Sequence, residues 1–125
     1  MHIHHIAIIG SDYEKSKEFY TKTLGLKVIR EVFREARESY KLDLAIGENY
    51  VIELFSFPNP PKRASQPESC GLRHLAFAVE NVGAKREELV SKGLVCEDIR
   101  TDEFTDKLFF FTQDPDGLPL EFYEI

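Results

Sequence analysis

The second half of the sequence repeats the pattern of the first, and this repeat constrains the fold more than any other feature. His74 aligns with His5 at an offset of 69 residues, and Glu121 aligns with Glu53 at an offset of 68. A one-residue gap reconciles the two offsets. The aligned stretches are "HHIAIIGSDYEKSKEFYTKTLGLKVIRE" with "RHLAFAVENVGAKREELVSKGLVCED", and "YVIELFSF" with "LPLEFYE". Each copy presents an incomplete sheet, and we therefore expect two related modules.

Each copy begins with a strand followed by a helix. The apolar run at residues 3–10 predicts a strand, Asp12 is a typical helix cap, and Gly25 is a typical stop. In the second copy Asn81 takes the place of Asp12, and Gly93 takes that of Gly25. The first helix is expected to bury one stripe of side chains: Tyr13, Ser16, Phe19, Tyr20 and Leu24. Three further strands are predicted in "LKVIREVF", "SYKLDLAI" and "NYVIELFSF".

The segment between the copies is irregular. "PNPPKRASQPES" at residues 58–69 contains four prolines and no apolar period, which predicts a connection without regular structure. A chain of 125 residues with 42% hydrophobic content can bury one compact core. We therefore expect a single domain over 1–125, with module 1 at about 1–57, a linker at about 58–70 and module 2 at about 71–125.

Charge and cysteine usage exclude several classes of function. A net charge of −6 argues against a nucleic-acid surface, since phosphate binding needs a clustered excess of lysine and arginine. No apolar run approaches the roughly 20 residues that span a bilayer, and we expect a soluble, cytoplasmic protein without membrane partners. Cys70 and Cys96 have no CxxC spacing, so we expect buried thiols rather than a disulfide or a zinc knuckle.

The repeat also pairs residues that suit a metal. Alternation puts His5 on one face of the first strand, and Glu53 lies in an otherwise apolar row. A buried carboxylate is costly unless a cation or donors compensate it. A lone terminal histidine is usually solvated, and we interpret His2 and His4 in that way. Because His74 and Glu121 recur at matching positions, the four residues predict an N2O2 set for zinc, nickel, cobalt, manganese or ferrous iron.

Four stretches together resemble the vicinal oxygen chelate superfamily, which includes glyoxalase I, bleomycin-resistance proteins and dioxygenases. They are "HHIAIIGSDYEKSKEFYTKTLGLKV", "VIELF", "GLRHLAFAVEN" and "DPDGLPLEFYE". The resemblance implies an α+β fold of two βαβββ modules, which form a curved mixed sheet around a metal-binding cleft. It also implies that His5, Glu53, His74 and Glu121 occupy the four ligand positions of the glyoxalase I pattern. The "DPDG" turn containing Gly117 is interpreted as structural.

The resemblance further implies an activity. Because Glu53 fills a position that ring-cleaving dioxygenases and thiol transferases leave free, it favours a metal-dependent lyase or isomerase of glyoxalase I type. Such an enzyme acts on a small oxygenated substrate such as the thiohemiacetal of a 2-oxo aldehyde, through a metal-stabilised enediolate. Glu121 is then the expected base, with Glu53 as the second candidate. Zinc or nickel is the expected metal, and a homodimer is the expected assembly.

The resemblance does not extend to the residues that bind glutathione in bacterial glyoxalase I enzymes. Ile9 and Phe57 stand where bacterial glyoxalase I enzymes carry an arginine and an asparagine that bind glutathione. Arg37, Arg73 and Lys107 could supply positive charge, although pairing with acidic neighbours is the simpler expectation. Three alternatives stay open: a dioxygenase, a thiol transferase of the resistance type, and a non-catalytic protein that binds a small molecule. Alternation divides Phe109, Phe110 and Phe111 between the core and a cleft wall.

Overall fold

The computed structural model describes all residues from 1 to 125, and the chain divides into two compact units, Met1–Lys62 and Arg63–Ile125. Both units have the element order βαβββ. The first unit contains β1 (Ile6–Gly10), α1 (Tyr13–Glu18), β2 (Lys27–Arg34), β3 (Ser39–Ile46) and β4 (Asn49–Ser56). The second unit contains β5 (Leu75–Val79), α2 (Val82–Ser91), β6 (Arg100–Thr101), β7 (Leu108–Gln113) and β8 (Pro119–Glu124).

Each unit folds around its own four-stranded mixed sheet. The order is β1-β4-β3-β2 in the first unit and β5-β8-β7-β6 in the second. In both sheets the first strand runs parallel to the last strand of the unit, and the other pairs are antiparallel. The last strand of each unit therefore lies in the interior of its sheet, where side chains from both neighbouring strands surround it.

The core follows from period-two alternation along the strands. In the first unit, one face of β3 and β4 is almost completely shielded from solvent, and the helix segment adds large aromatic side chains. These core residues are Leu42, Leu44, Ile52, Leu54, Phe19 and Tyr20. In the second unit the core contains Val82, Leu89, Phe110, Leu118, Leu120 and Phe122. Alternate residues of the same strands point to the other face, and the candidate site residues lie there.

Both helices begin as the sequence predicts. The side chain of Asp12 accepts a hydrogen bond from the backbone N–H of Lys15 at 3.1 Å, and that of Asn81 accepts one from Ala84 at 2.8 Å. Such caps satisfy amides that have no partner within the helix. A single π-helical turn at Phe19–Thr23 extends the first helix. Gly25 follows with a φ of +80°, a conformation that glycine adopts without strain.

The α+β class and the two βαβββ modules are confirmed. The first strand begins at Ile6 rather than at residue 3, so His5 lies immediately before the strand and not within it. The prediction of buried thiols is wrong for Cys70, which is exposed, and Cys96 is partly exposed; both are free. No helix of the structure is sufficiently long and apolar to cross a membrane.

Candidate functional site

The two repeats each bring one histidine into contact with one glutamate. His5 and His74 immediately precede the first strand of their units, and Ala7 and Ala76, two residues further on, lie opposite Glu53 and Glu121. His5 Nε2 lies 2.8 Å from Glu53 Oε2. In the second unit, His74 Nε2 lies 3.1 Å from Glu121 Oε2. Both glutamate side chains are 14% exposed, so each carboxylate is largely shielded and needs a partner.

These distances between imidazole nitrogen and carboxylate oxygen fit two kinds of contact, a shared metal ion and a direct hydrogen bond. Donors that bind a six-coordinate ion at about 2.1 Å and at right angles lie about 3.0 Å apart, so each pair fits adjacent ligands of such a divalent metal. The same separation also suits a direct hydrogen bond between an imidazole and a carboxylate. No group of three or more His, Cys, Asp and Glu side chains is placed to hold a metal. Each pair therefore supplies two donors within its own unit.

In the first unit a second carboxylate and a lysine lie beside Glu53. Asp43 is the residue opposite Glu53 in the antiparallel pairing of β3 with β4. Lys41 Nζ donates to Asp43 Oδ1 at 2.6 Å and lies 2.8 Å from Glu53 Oε1. Asp43 is only 2% exposed, and it also accepts hydrogen bonds from Arg30 and from the Tyr50 hydroxyl. Four donor atoms from three side chains, those of Arg30, Lys41 and Tyr50, thus compensate the burial of this carboxylate.

The network fixes the charges of its members. Burial alone would raise the pKa of Asp43, but hydrogen bonds from Lys41 and Arg30 outweigh it, and the net pKa is lowered. The pKa of Glu53 is also lowered, because the hydrogen bond and charge of Lys41 overcome the effect of burial. Burial would lower the pKa of Lys41, yet its two carboxylate partners raise it overall. The first unit therefore holds an ammonium between two ionised carboxylates at neutral pH.

Two neighbours orient the ring of His5. His4 Nδ1 lies 2.8 Å from His5 Nδ1, so the two rings share a hydrogen bond on the side away from Glu53. The ring of Tyr50 stacks on His5 with centroids 5.0 Å apart. His4 is exposed, as expected for a solvated residue, but it also contacts the candidate ligand. Nothing links His2 to the site.

The second unit has a cavity at the corresponding place, with a volume of about 860 Å³. His74 and Glu121 line it, together with apolar side chains from β7 and from the loop between α2 and β6, and with charged side chains that include Arg73 and Arg100. Phe111 lies opposite Glu121 in the strand pairing, in the position that Asp43 has in the first unit. The predicted alternation is confirmed: Phe110 is buried in the core, whereas Phe109 and Phe111 line the cavity.

The remaining predicted residues have simpler roles. Arg73 is bound to Glu68 at 2.6 Å, as expected for pairing with an acidic neighbour, and it also lines the cavity. Gly117 has a φ of +83° in a turn whose amides bind Asp114, which agrees with a structural role. Ile9 is about half exposed, and Phe57 stacks on Phe55.

Sequence reasoning missed Lys41, Asp43 and Tyr50. A signal for two of them was present, because alternation in "SYKLDLAI" puts Lys41 and Asp43 on one face of a strand. Their position beside Glu53 depended on the register between two strands, and the sequence did not provide it. The contact between Tyr50 and His5 depended in addition on the parallel pairing of β1 with β4.

Comparisons with known proteins agree with this architecture. Residues 2–122 match the Glyoxalase/Bleomycin resistance protein/Dioxygenase superfamily. The uncharacterized protein YwkD of Bacillus subtilis (strain 168) is 61% identical over 98% of this chain and 95% of its own. A glyoxalase family protein from Enterococcus faecalis is 45% identical, with a TM-score of 0.92 over 98% of this chain and 97% of its own. A V278E mutant of glyoxalase I from Zea mays shares the fold, with a TM-score of 0.82 at 23% identity over 98% of this chain and 44% of its own. The chain belongs to the glyoxalase, bleomycin resistance protein and dioxygenase superfamily.

Proposed function

We propose that this protein is a divalent-metal-dependent lyase or isomerase of glyoxalase I type, with His5, Glu53, His74 and Glu121 as the metal ligands. The observation that carries the proposal is the recurrence of one imidazole–carboxylate pair at the same place in both modules, with separations of 2.8 and 3.1 Å. A structural ion pair would explain either contact alone. The repetition of both residue types, with spacing that suits adjacent ligands, favours a shared ion.

A divalent ion held by these residues would act as a Lewis acid toward neighbouring oxygens of the substrate, and zinc or nickel suits a set of two imidazoles and two carboxylates. Glu121 serves as the base. Its carboxylate borders the cavity and takes a proton from a substrate carbon next to a carbonyl group. It then returns the proton to the adjacent carbon, so the substrate is isomerised without gaining or losing atoms.

The cavity favours a small substrate with an apolar portion. Its volume of about 860 Å³ lies within the range typical of small-molecule sites. Leu94, Val95, Phe109 and Phe111 contribute apolar wall. Because Ile9 and Phe57 carry no charge, the thiol part of a thiohemiacetal substrate is expected to be less charged than glutathione.

The first experiment measures metal content and turnover together. Freshly purified protein is stripped with a chelator, reconstituted with Ni²⁺ or Zn²⁺, and assayed without oxygen on thiohemiacetals formed from methylglyoxal and a series of thiols. We expect one divalent ion per chain and metal-dependent turnover. Protein that neither contains nor regains stoichiometric metal would overturn the proposal and favour a non-catalytic binder. Activity on a catechol that requires ferrous iron and oxygen would instead indicate a dioxygenase.

A complete four-donor set needs one pair from each module, supplied by one chain or by two. We propose a homodimer in which each site takes ligands from both chains. Light scattering during size exclusion tests the dimer. A mixed dimer of His5→Ala and Glu121→Ala chains tests the sharing, because both defects then fall in one site and leave the other intact. About half of the wild-type activity is expected, whereas sites formed within single chains would give none.

A further inference from the structure

We propose that Lys41 is a positioning residue that holds one oxygen of Glu53 and leaves only the other, beside His5, available to a metal ion. This inference rests on the proposed metal site. It assigns the two glutamates different tasks, with Glu53 as a fixed ligand and Glu121 as the carboxylate that is free to move a proton. Nothing in the alignment of the two repeats distinguishes these glutamates.

The two oxygens of Glu53 have different partners. Oε2 faces His5 Nε2 at 2.8 Å, and Oε1 faces Lys41 Nζ at 2.8 Å. A carboxylate held in this way cannot turn both oxygens toward one ion without losing its contact with the ammonium. Because a charge-assisted hydrogen bond in a largely shielded site is strong, we expect Glu53 to keep it when a metal binds.

Asp43 keeps Lys41 in place. Its Oδ1 accepts from Lys41 at 2.6 Å and from the Tyr50 hydroxyl at 3.0 Å, and its Oδ2 accepts from Arg30 at 2.9 Å. The lysine side chain is 22% exposed, so few conformations remain open to its ammonium. Partners of this kind, one step removed from the metal, orient the ligand and adjust the affinity of the site.

The second unit lacks this arrangement. Phe111 lies opposite Glu121, and Phe109 occupies the strand position that corresponds to Lys41. His74 Nε2 lies 3.1 Å from Glu121 Oε2, and the first unit's lysine and aspartate have no counterparts on the adjacent strand. The difference between the modules therefore restricts one glutamate and leaves the other beside an open cavity.

The inference predicts a change in metal preference. Removal of the ammonium frees Oε1, and Glu53 can then offer two oxygens to an ion. Mn²⁺ prefers oxygen donors, whereas Ni²⁺ is well served by imidazole, so an added carboxylate oxygen favours Mn²⁺ more. In Lys41→Met we expect the ratio of the Mn²⁺ to the Ni²⁺ association constant to rise about tenfold, in the range seen for groups that orient metal ligands.

The experiment titrates stripped full-length protein with Mn²⁺ and Ni²⁺ in competition with a chromophoric chelator at fixed pH. Lys22→Met is the matched control, because the side chain of Lys22 is 78% exposed and lies 3.9 Å from its nearest acidic partner. Its ratio should equal that of the wild type. Lys41→Arg, which keeps a cation, should restore most of the wild-type ratio. Lys41→Gln provides a second neutral variant should Lys41→Met fail to fold.

The outcomes separate this inference from the proposed function. An unchanged ratio in both neutral variants, or an equal loss of affinity for both ions, would show that Lys41 does not restrict Glu53 and would overturn the inference alone. If the wild-type protein binds neither Mn²⁺ nor Ni²⁺, both the proposed metal site and this inference are wrong. Binding that survives when His74 and Glu121 are both replaced by alanine counts as adventitious binding by the N-terminal histidines, and the ratio is therefore taken from the component that this double variant loses.

Discussion

The two modules share one backbone plan but place different side chains on the strand beside their glutamates. In the first module the strand beside Glu53 carries Asp43 and Lys41, and both bind charged partners. In the second module the corresponding strand carries Phe111 and Phe109, which line a cavity. Repetition of the fold therefore preserves the imidazole–carboxylate pair, while the flanking residues have diverged.

The different surroundings suit the two glutamates to the two different roles proposed for them, a fixed metal ligand and a proton-transferring base. A carboxylate surrounded by hydrogen-bond donors is stable as an anion and costly to move, which suits a permanent ligand. A carboxylate beside apolar rings and a cavity is close to bound substrate and less restrained, which suits proton transfer. The proposed roles of Glu53 and Glu121 can therefore be tested by changes that exchange or remove these surroundings.

The largest effect is expected from substitution of the two glutamates. Glu121→Gln should reduce kcat about 10³-fold, because general-base catalysis contributes on the order of 10² to 10⁴. Metal should still bind through the remaining ligands. Glu53→Gln should instead weaken metal affinity more strongly than Glu121→Gln does. Steady-state kinetics of metal-loaded protein and chelator competition measure the two effects separately.

Full turnover by Glu121→Gln with its metal retained would refute the assignment of the base. Equal losses of kcat and of metal affinity in Glu121→Gln and Glu53→Gln would show that the two glutamates do not have different roles. Glu124→Gln is a suitable control, because this residue lies on the same strand as Glu121 and is not among the residues lining the cavity.

The next largest effect concerns stability. Asp43 is nearly inaccessible and accepts hydrogen bonds from three side chains, so Asp43→Asn leaves Lys41 and Arg30 without their shared anion. Breaking a buried charge network in this way costs about 3 kcal/mol of unfolding free energy. Urea denaturation at pH 7 measures the loss. Asp98→Asn, at a fully exposed position, should leave the stability unchanged.

The same variant has a defined pH dependence. Burial opposes ionisation of Asp43, but its donors lower its pKa below the ordinary value of 3.8. A carboxyl with a lowered pKa in the folded state stabilises the protein above its unfolded pKa, and this contribution is lost as the pH falls through the folded value. The difference in unfolding free energy between wild type and Asp43→Asn should therefore shrink between pH 5 and roughly pH 2. A constant difference over this interval would contradict the role of Asp43 as an anion.

Much of this arrangement could be predicted from sequence, because local patterns and the repeat carry it. Caps at Asp12 and Asn81 fix the helix starts through bonds that span three residues, and alternation separates Phe110 from its neighbours. The partners of Glu53 could not be predicted. Contact between Lys41 and Glu53 depends on which residues face each other across two strands, and a shift of one residue would reverse the faces.

A smaller effect is expected when the charge of the first module is transferred to the second. Phe109→Lys places an ammonium at the position that corresponds to Lys41, two residues along β7 from the partner of Glu121. A cation there should restrain Glu121 and reduce kcat about tenfold, an amount typical of changes to groups that orient a ligand. Metal should remain bound. Phe109→Met, which removes the ring without adding charge, is the matched control for kinetics and metal content.

The smallest effects involve an arginine that covers aromatic rings in each module. The guanidinium of Arg34 lies 4.8 Å from the ring centroid of Phe55, and that of Arg100 lies 4.9 Å from that of Phe109. A partly exposed cation–π contact contributes about 0.5 to 1 kcal/mol. Arg34 also donates to Ser39, which is fully buried, so Arg34→Met should lose about 1 kcal/mol more than Arg100→Met.

The effect of these two variants on KM should be the reverse of their effect on stability. Arg100 lines the cavity beside Glu121, whereas Arg34 is absent from its lining, so only Arg100→Met is expected to change KM. We expect a change of about threefold, since one exposed contact contributes little binding energy. Urea denaturation and steady-state kinetics on the same two variants check both halves of this prediction. Equal stability losses together with equal KM values would mean that the first and the second module do not differ in their tasks.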